Sequence, residues 1–227
     1  MTAAAGAGRT GAEAKSAVYR YGVVFLIVLV TLVFEILAPD ADWARAVGTA
    51  LAGAALTVAV ATSRERAQVR RTRSFLVAGI ALIVVVGVAV GVVHAWGAYL
   101  VGTLLTLLIP IALGGGVLRL IRDKGVTIQA VAGALAVYLL VGLLFASAIA
   151  FVADIQGSSF FAQGAHLTNG DRVYYSFTVL TTTGFGDYTT ATPVGHALSV
   201  LEMLTGQLYL VTVIGILIGN FVGRRRA

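Results

Sequence analysis

The chain has no cysteine among its 227 residues, and charged residues make up only 11% of it. Without cysteine, neither a disulfide framework nor a thiolate metal site can form. Hydrophobic residues supply 59% of the sequence, which is a larger share than soluble domains carry. These proportions predict a membrane protein.

The residue groups that carry enzymatic chemistry are also missing. No paired nucleophile and base, metal-ligand cluster or phosphate-binding loop stands out, and the histidines are scattered, at His94, His166 and His196. We therefore expect neither an enzyme nor a resident cofactor.

Six apolar segments of helix length run along the chain. They cover residues 22–37, 44–62, 75–93, 98–118, 129–152 and 193–222. A signal peptide is the competing interpretation of the first segment, but no convincing small-residue cleavage site follows it, so we expect a retained helix. The pattern predicts an all-α membrane protein with six transmembrane helices, preceded by a disordered tail over residues 1–16.

The positions of the 16 basic residues predict how the chain is oriented. Arg45 and Arg172 are the only two that fall on the side of the membrane opposite the termini. Cytosolic loops carry an excess of Lys and Arg, so we expect a multi-pass protein of the plasma membrane with both termini cytosolic. Anionic lipid headgroups are then the expected partners of the cytosolic arginines, and nucleic acid is not.

Thr181 to Asp187, between the fifth and sixth apolar segments, read Thr, Thr, Thr, Gly, Phe, Gly, Asp. Polar, glycine-rich backbone is tolerated at membrane depth only where it is buried in protein or lines water. Gly184 and Gly186 allow backbone angles that a side chain disfavours. The sequence therefore predicts an irregular strand inside the membrane that faces water or other protein.

A short helix is predicted just before this strand, over residues 172–180, with Asn169 or Asp171 as its cap. Nine residues of helix rise only about 13 Å, which is less than half the thickness of a bilayer. The helix must therefore enter the membrane and turn back. Its C-terminal end, where the helix dipole is negative, would point at the membrane centre and favour a cation.

Together, this helix and strand resemble the pore region of potassium channels, and Thr181–Asp187 resembles the selectivity filter. The resemblance extends over residues 154–222. It implies a homotetramer around a fourfold axis and potassium as the permeant ion, held by backbone oxygens that replace its hydration shell. By this resemblance the ion-binding residues are Thr182, Thr183, Gly184, Phe185 and Gly186, with K+ bound at the first four. Asp187 would cap the outer mouth, and Tyr174 and Tyr175 would brace the filter.

Three residues depart from the usual pattern of that family. Thr183 stands in place of valine, Phe185 in place of tyrosine, and Thr178 where some relatives carry a glutamate paired with the aspartate. With fewer polar ties behind it, the filter is expected to inactivate when potassium is low. Thr183 also leaves open a weakly selective cation channel, and a potassium transporter subunit is a more distant alternative.

The sixth segment would line the pore below the filter. Gly206 matches the position where the family often bends its inner helix, and the residues expected to line the cavity and gate are Gln207, Leu210, Ile214 and Ile218. An ordinary packing stripe is the other interpretation of that spacing. The sequence does not assign a role to the two acidic residues within the apolar segments, Glu202 and Glu35. Glu202 would either reach the interface or hydrogen-bond behind the pore helix, and Glu35 is expected to be solvated, with a pH-sensitive role as the lesser possibility.

The chain is expected to divide into two membrane regions after the tail. Residues 17–124 would form a four-helix region resembling a degenerate voltage-sensor-like domain, and residues 125–227 the pore domain. A voltage sensor needs several basic residues along one helix within the membrane field, but Arg119 and Arg122 lie at the cytosolic end of the fourth segment. Voltage dependence is therefore expected to be weak or absent.

Overall fold

The computed structural model describes residues 20–41, 125–156, 160–164 and 167–224, together with separate positions between 43 and 58 and between 103 and 122. The continuous helices of this part are α1 (Arg20–Leu37), α2 (Ile128–Gln156), α3 (Asn169–Leu180) and α4 (Pro193–Arg224). An isolated β-bridge joins Phe161 to Thr190, and the described residues form no β-sheet strand. The irregular segment that follows α3, residues 181–187, is called the strand below. The all-helical prediction is confirmed for this part of the chain.

α2 is the longest apolar stretch among the described helices. Its 29 residues are long and apolar enough to cross a bilayer, since they rise about 44 Å against a hydrocarbon core of about 30 Å. α1 is equally apolar but shorter, and it ends where Pro39 follows Ala38. The first and fifth predicted segments therefore correspond to α1 and α2.

α1 packs along α2 and also touches the start of α3. Val24 and Val28 of α1 are fully buried, in the same apolar cluster as Leu140 of α2 and Val173 of α3. A second cluster lies at the other end of α2, around Ile149 and the loop residues Phe160 and Phe161. The short helix α3 is thus held by α1, α2 and α4 together.

The boundary of α3 differs from the sequence prediction. The helix begins at Asn169, and its N-cap is Thr168 rather than Asn169 or Asp171. The Thr168 hydroxyl accepts a hydrogen bond from the Asp171 N–H at 3.2 Å, and the Asp171 carboxylate accepts one from the Thr168 N–H at 3.0 Å. This reciprocal capping box satisfies two backbone donors and therefore moves the helix start outward by three residues.

α4 begins at Pro193 and runs without interruption to Arg224, as the sixth predicted segment requires. The Thr192 hydroxyl accepts a hydrogen bond from the Gly195 N–H at 3.1 Å and so caps the first turn. Helical residues also occur within the second and fourth predicted segments, whereas the third, 75–93, and the tail, 1–16, lie outside the described residues. The arrangement of six helices therefore stays a prediction.

Candidate functional site

The strand that follows α3 turns back on the helix it leaves. The N–H groups of Thr183 and Gly184 both donate to the carbonyl oxygen of Thr178, at 2.9 and 3.1 Å, and the Thr182 N–H donates to Val179 at 2.9 Å. The last carbonyl groups of a helix have no partner within it, and here the strand supplies the partners. As a result, the N–H groups at the start of the strand, from Thr182 to Gly184, face α3.

Every second residue of the strand has a positive φ angle. The values are +57° at Thr182, +53° at Gly184 and +80° at Gly186. In an ordinary extended strand the carbonyl groups alternate between two sides. Reversing the sign of φ at alternate residues rotates the peptide planes, so that successive carbonyl groups are able to face one side.

The positive φ angle of Thr182 is the unexpected feature of this alternation, because threonine has a side chain. Among the described residues Thr182 is the one non-glycine with positive φ, a conformation that costs about 1–2 kcal/mol for a residue with a side chain. The sequence predicted this freedom only at the two glycines. Backbone strain of this kind concentrates at functional sites, where the surrounding structure holds it in place.

All seven residues from Thr181 to Asp187 are exposed in the single chain, whereas most of α3 is buried. Phe185 is 70% exposed, although it is a large apolar side chain. The bonds from the first N–H groups of the strand to α3 leave this surface exposed. The strand therefore presents a surface suited to water, ions or further protein.

Tyr174 contacts the strand from the N-terminal half of α3. Its ring stacks on Phe185, with centroids 6.4 Å apart and planes 3° from parallel. Its hydroxyl hydrogen-bonds to the Asp187 carboxylate. Tyr188 meets Tyr174 edge-on, so the rings of Phe185, Tyr174 and Tyr188 form an aromatic collar at the Asp187 end of the strand. The structure thus brings Tyr174, Phe185 and Asp187 together.

Tyr188, a residue that the sequence prediction missed, links this collar to the capping box. Its hydroxyl donates to the Asp171 carboxylate at 3.2 Å. This hydrogen bond, together with the negative charge of Asp171, raises the pKa of the Tyr188 hydroxyl, because both favour the protonated phenol. Asp171 therefore serves both the start of α3 and the end of the strand.

The side chains of the two other predicted support residues, Tyr175 and Thr178, bond away from the strand. Tyr175 is buried, and its hydroxyl lies 2.7 Å from the Ser199 hydroxyl of α4. The buried hydroxyl of Thr178 donates to the Tyr175 carbonyl at 2.8 Å and does not reach Asp187. Thr183 has its hydroxyl 2.8 Å from that of Thr181, so its polar group has a partner.

Gly206 is buried where α4 crosses the end of α3. A Cβ atom at this position would collide with the carbonyl oxygen of Leu180. The close approach of the two helices explains the glycine here, and α4 is a continuous helix through it. Among the predicted cavity residues, Gln207 is exposed and Leu210 is half-buried, while the side chains of Ile214 and Ile218 lie outside the described part.

Both acidic residues that the sequence left open have partners. Glu202 is fully buried and hydrogen-bonds to Ser176 of α3, which is the position behind the pore helix. The expectation of a solvated Glu35 is wrong, because its carboxylate accepts a hydrogen bond from the Asn169 side chain at the start of α3. This contact arises because α1 packs directly against α3.

These features define a class of protein: a helical membrane protein in which a short helix and a strand of alternating φ sign lie between two long helices. Residues 137–222 match the model of a family described as ion channel. This part of the chain is therefore similar to an ion-channel domain, and the match supports the resemblance to the potassium channel family. Searches of curated proteins and of solved structures found no significant match.

Proposed function

We propose that the protein is a potassium-selective channel that conducts K+ passively through a homotetrameric pore. The observation that supports this most directly is the alternation of positive φ at Thr182, Gly184 and Gly186. The N–H groups of Thr183 and Gly184 in this strand are held by the Thr178 carbonyl. In the proposed filter, this backbone would turn the carbonyl oxygens of residues 182–186 to the side away from α3. Rings of such oxygens are the known means of replacing the hydration shell of K+.

One chain supplies one strand, whereas a ring of ligands around an ion needs several. The outward face of α4 is apolar and exposed in the single chain, and it includes Val200, Leu201, Leu204, Leu208 and Val211. Fourfold assembly would place four strands around one axis and would bury part of this face against neighbouring copies. The 70% exposure of Phe185 supports the same arrangement.

The C-terminal end of α3 contributes a second attraction for a cation. α3 is short, at 12 residues, which rise about 18 Å and so cannot cross a bilayer. The negative end of its dipole lies where the strand begins. Four such helix ends around an axis would stabilise a partly dehydrated cation at the inner end of the filter.

A weakly selective cation channel is the second candidate. The observation in its favour is the paired hydroxyl groups of Thr181 and Thr183, both on exposed residues of the strand. Hydroxyl groups beside the ion path would let water enter with Na+ and would reduce discrimination between the two ions.

The proposed orientation has both termini in the cytosol of a plasma-membrane protein, with anionic headgroups at the cytosolic arginines. We further propose that the conductance depends weakly, or not at all, on voltage, because the basic residues of the fourth segment lie at its cytosolic end. A steep conductance–voltage curve in symmetrical potassium would contradict this.

Two glycines provide a matched pair of variants for testing the pore. Gly184 and Gly164 both have positive φ, +53° and +64°, and a Cβ atom at either position meets nothing within 4 Å. Alanine at either position therefore costs similar backbone strain, on the order of 1 kcal/mol. Potassium uptake by vesicles containing the purified protein should be abolished by Gly184→Ala and retained by Gly164→Ala. Equal effects of the two substitutions would contradict the proposed filter.

A further inference from the structure

Glu202 is the most deeply buried charged residue among those the structure describes. It lies on α4 with 0% of its surface exposed, and Ser176 on α3, which it contacts, is also 0% exposed. This burial is complete within one chain and does not depend on assembly. A carboxyl group so far from water needs either a cation or a proton.

The Ser176 hydroxyl has two oxygen neighbours. One is a carboxyl oxygen of Glu202, and the other is the backbone carbonyl oxygen of Gly142 on α2, at 2.8 Å. A serine hydroxyl has one proton to donate. If Ser176 donates to Gly142, which can only accept, then Glu202 must donate to Ser176. If Glu202 were ionised, the single Ser176 proton could serve only one of the two contacts. The Ser176 oxygen would then face either the Gly142 oxygen or the Glu202 oxygen with no proton between them.

No cation offsets a charge on Glu202 among the described residues. The titratable group that interacts with it from α2 is the phenol of Tyr138, and the partner from α3 is the uncharged Ser176. The second carboxyl oxygen of Glu202 has no hydrogen-bond partner in the described part of the chain. An unpaired, buried oxygen is tolerated when it is the carbonyl oxygen of a neutral carboxylic acid. It is costly when it carries part of the charge of a carboxylate.

We propose that Glu202 is held as a neutral carboxylic acid whose proton completes a hydrogen-bond chain from α4 through Ser176 to α2, and that this chain positions α3 behind the filter. The effect on permeation rests on the proposed channel function. Glu202 touches no ion path and is a positioning residue. It acts through α3, whose Thr178 carbonyl holds Thr183 and Gly184.

The first test locates the proton without reference to conduction. Infrared spectra of the reconstituted protein at neutral pH should contain the carbonyl-stretch band of a buried protonated carboxyl group. Glu202→Gln should remove that band. The control is Glu35→Gln on α1, because Glu35 is an acidic residue that also contacts α3, through Asn169. This control variant should keep the band. A spectrum in which Glu202→Gln removes only carboxylate bands would overturn the proposal.

The second test measures potassium flux in vesicles for a set of variants at one site. Glutamine is neutral and donates from its amide, so Glu202→Gln should keep flux within about twofold of the wild type and follow the same pH profile. Methionine fills a similar volume without a donor. Glu202→Met and Ser176→Ala should therefore reduce flux about fivefold to tenfold, as the loss of one buried hydrogen bond implies. Full activity of Glu202→Met, or loss of activity in Glu202→Gln, would overturn the positioning role.

The two tests also separate this inference from the proposed function. If the wild-type protein carries no potassium, the channel function fails while the infrared band still decides where the proton lies. If potassium flows but the protonated band is absent, the inference fails and the channel remains.

Discussion

Tyr174 and Phe185 lie with their rings parallel, 6.4 Å between centroids and 3° between planes. Phe185 belongs to the strand and Tyr174 to the helix behind it. This stack, the Tyr174–Asp187 hydrogen bond and the hydrogen bond from the Gln163 side chain to the Asp187 carbonyl together tie the second half of the strand. The Thr178 carbonyl holds Thr183 and Gly184 in the first half of the strand, but its hydroxyl bonds back to its own helix and does not reach Asp187.

We predict that currents decay when external potassium is lowered, and that Tyr174→Ala makes the decay several-fold faster. An aromatic pair contributes about 0.5–1.5 kcal/mol beyond its area, which the alanine variant loses along with the hydrogen bond. Tyr174→Phe keeps the ring and loses only the hydroxyl, so its current should decay faster than that of the wild type and more slowly than that of Tyr174→Ala. The rates are read from macroscopic currents after a step to low potassium. Sustained wild-type current would argue against a weakly tied filter.

Gly206→Ala should destabilise the protein, because its Cβ would collide with the Leu180 carbonyl oxygen at the end of α3. Overpacking at a rigid backbone contact typically costs about 1–3 kcal/mol. The control is Gly22→Ala on α1, where a Cβ meets nothing within 4 Å, and where alanine should be neutral or slightly stabilising. Thermal unfolding in detergent compares the two. Equal melting temperatures would show that α3 and α4 do not approach as closely as described.

Asn169 and Glu35 should be energetically coupled across 134 residues of sequence. A hydrogen bond to a charged group contributes about 1.5–3 kcal/mol, so Glu35→Ala and Asn169→Ala should be clearly non-additive in a double-mutant cycle of unfolding free energy. Gln163→Ala provides the comparison, because Gln163 bonds to the loop at Asp187 and Thr189 instead. Additive effects of Glu35 and Asn169 would mean that α1 does not hold the start of α3.

Tyr188 should make stability sensitive to alkaline pH. Its hydrogen bond to Asp171 raises its pKa in the folded protein above the ordinary value of about 10. A raised pKa stabilises the folded state below the unfolded-state value, and the contribution is lost as pH rises through the folded-state value. The wild type should therefore lose more stability than Tyr188→Phe above about pH 10, measured by unfolding at each pH. Parallel curves would exclude this contribution.

The main features of the site were predictable from local sequence. A short helix of polar and aromatic residues followed directly by a glycine-containing run indicates a re-entrant segment, because such backbone has no partners in lipid. Pro193 marks the start of α4, since proline suits the first turn of a helix. These inferences needed only neighbouring residues.

What the sequence did not predict depends on distant partners or on competing local ones. Thr168 competes with Asn169 and Asp171 as a cap, and the spacing to Asp171 decides in its favour. The positive φ of Thr182 occurs where the Thr182 and Thr183 N–H groups bond back to Val179 and Thr178, and the preference of threonine for negative φ gives no sign of it. Ser176 gave no signal of its own, because its role depends on Glu202, 26 residues later.

The most direct test of the central claim is the reversal potential of single channels with potassium on one side of a bilayer and sodium on the other. A filter of main-chain oxygens spaced for potassium should give a reversal potential far from zero, in the direction that makes potassium the more permeant ion, and Gly184→Ala should remove the current. A reversal potential near zero, or no potassium current from the assembled protein, would contradict the account.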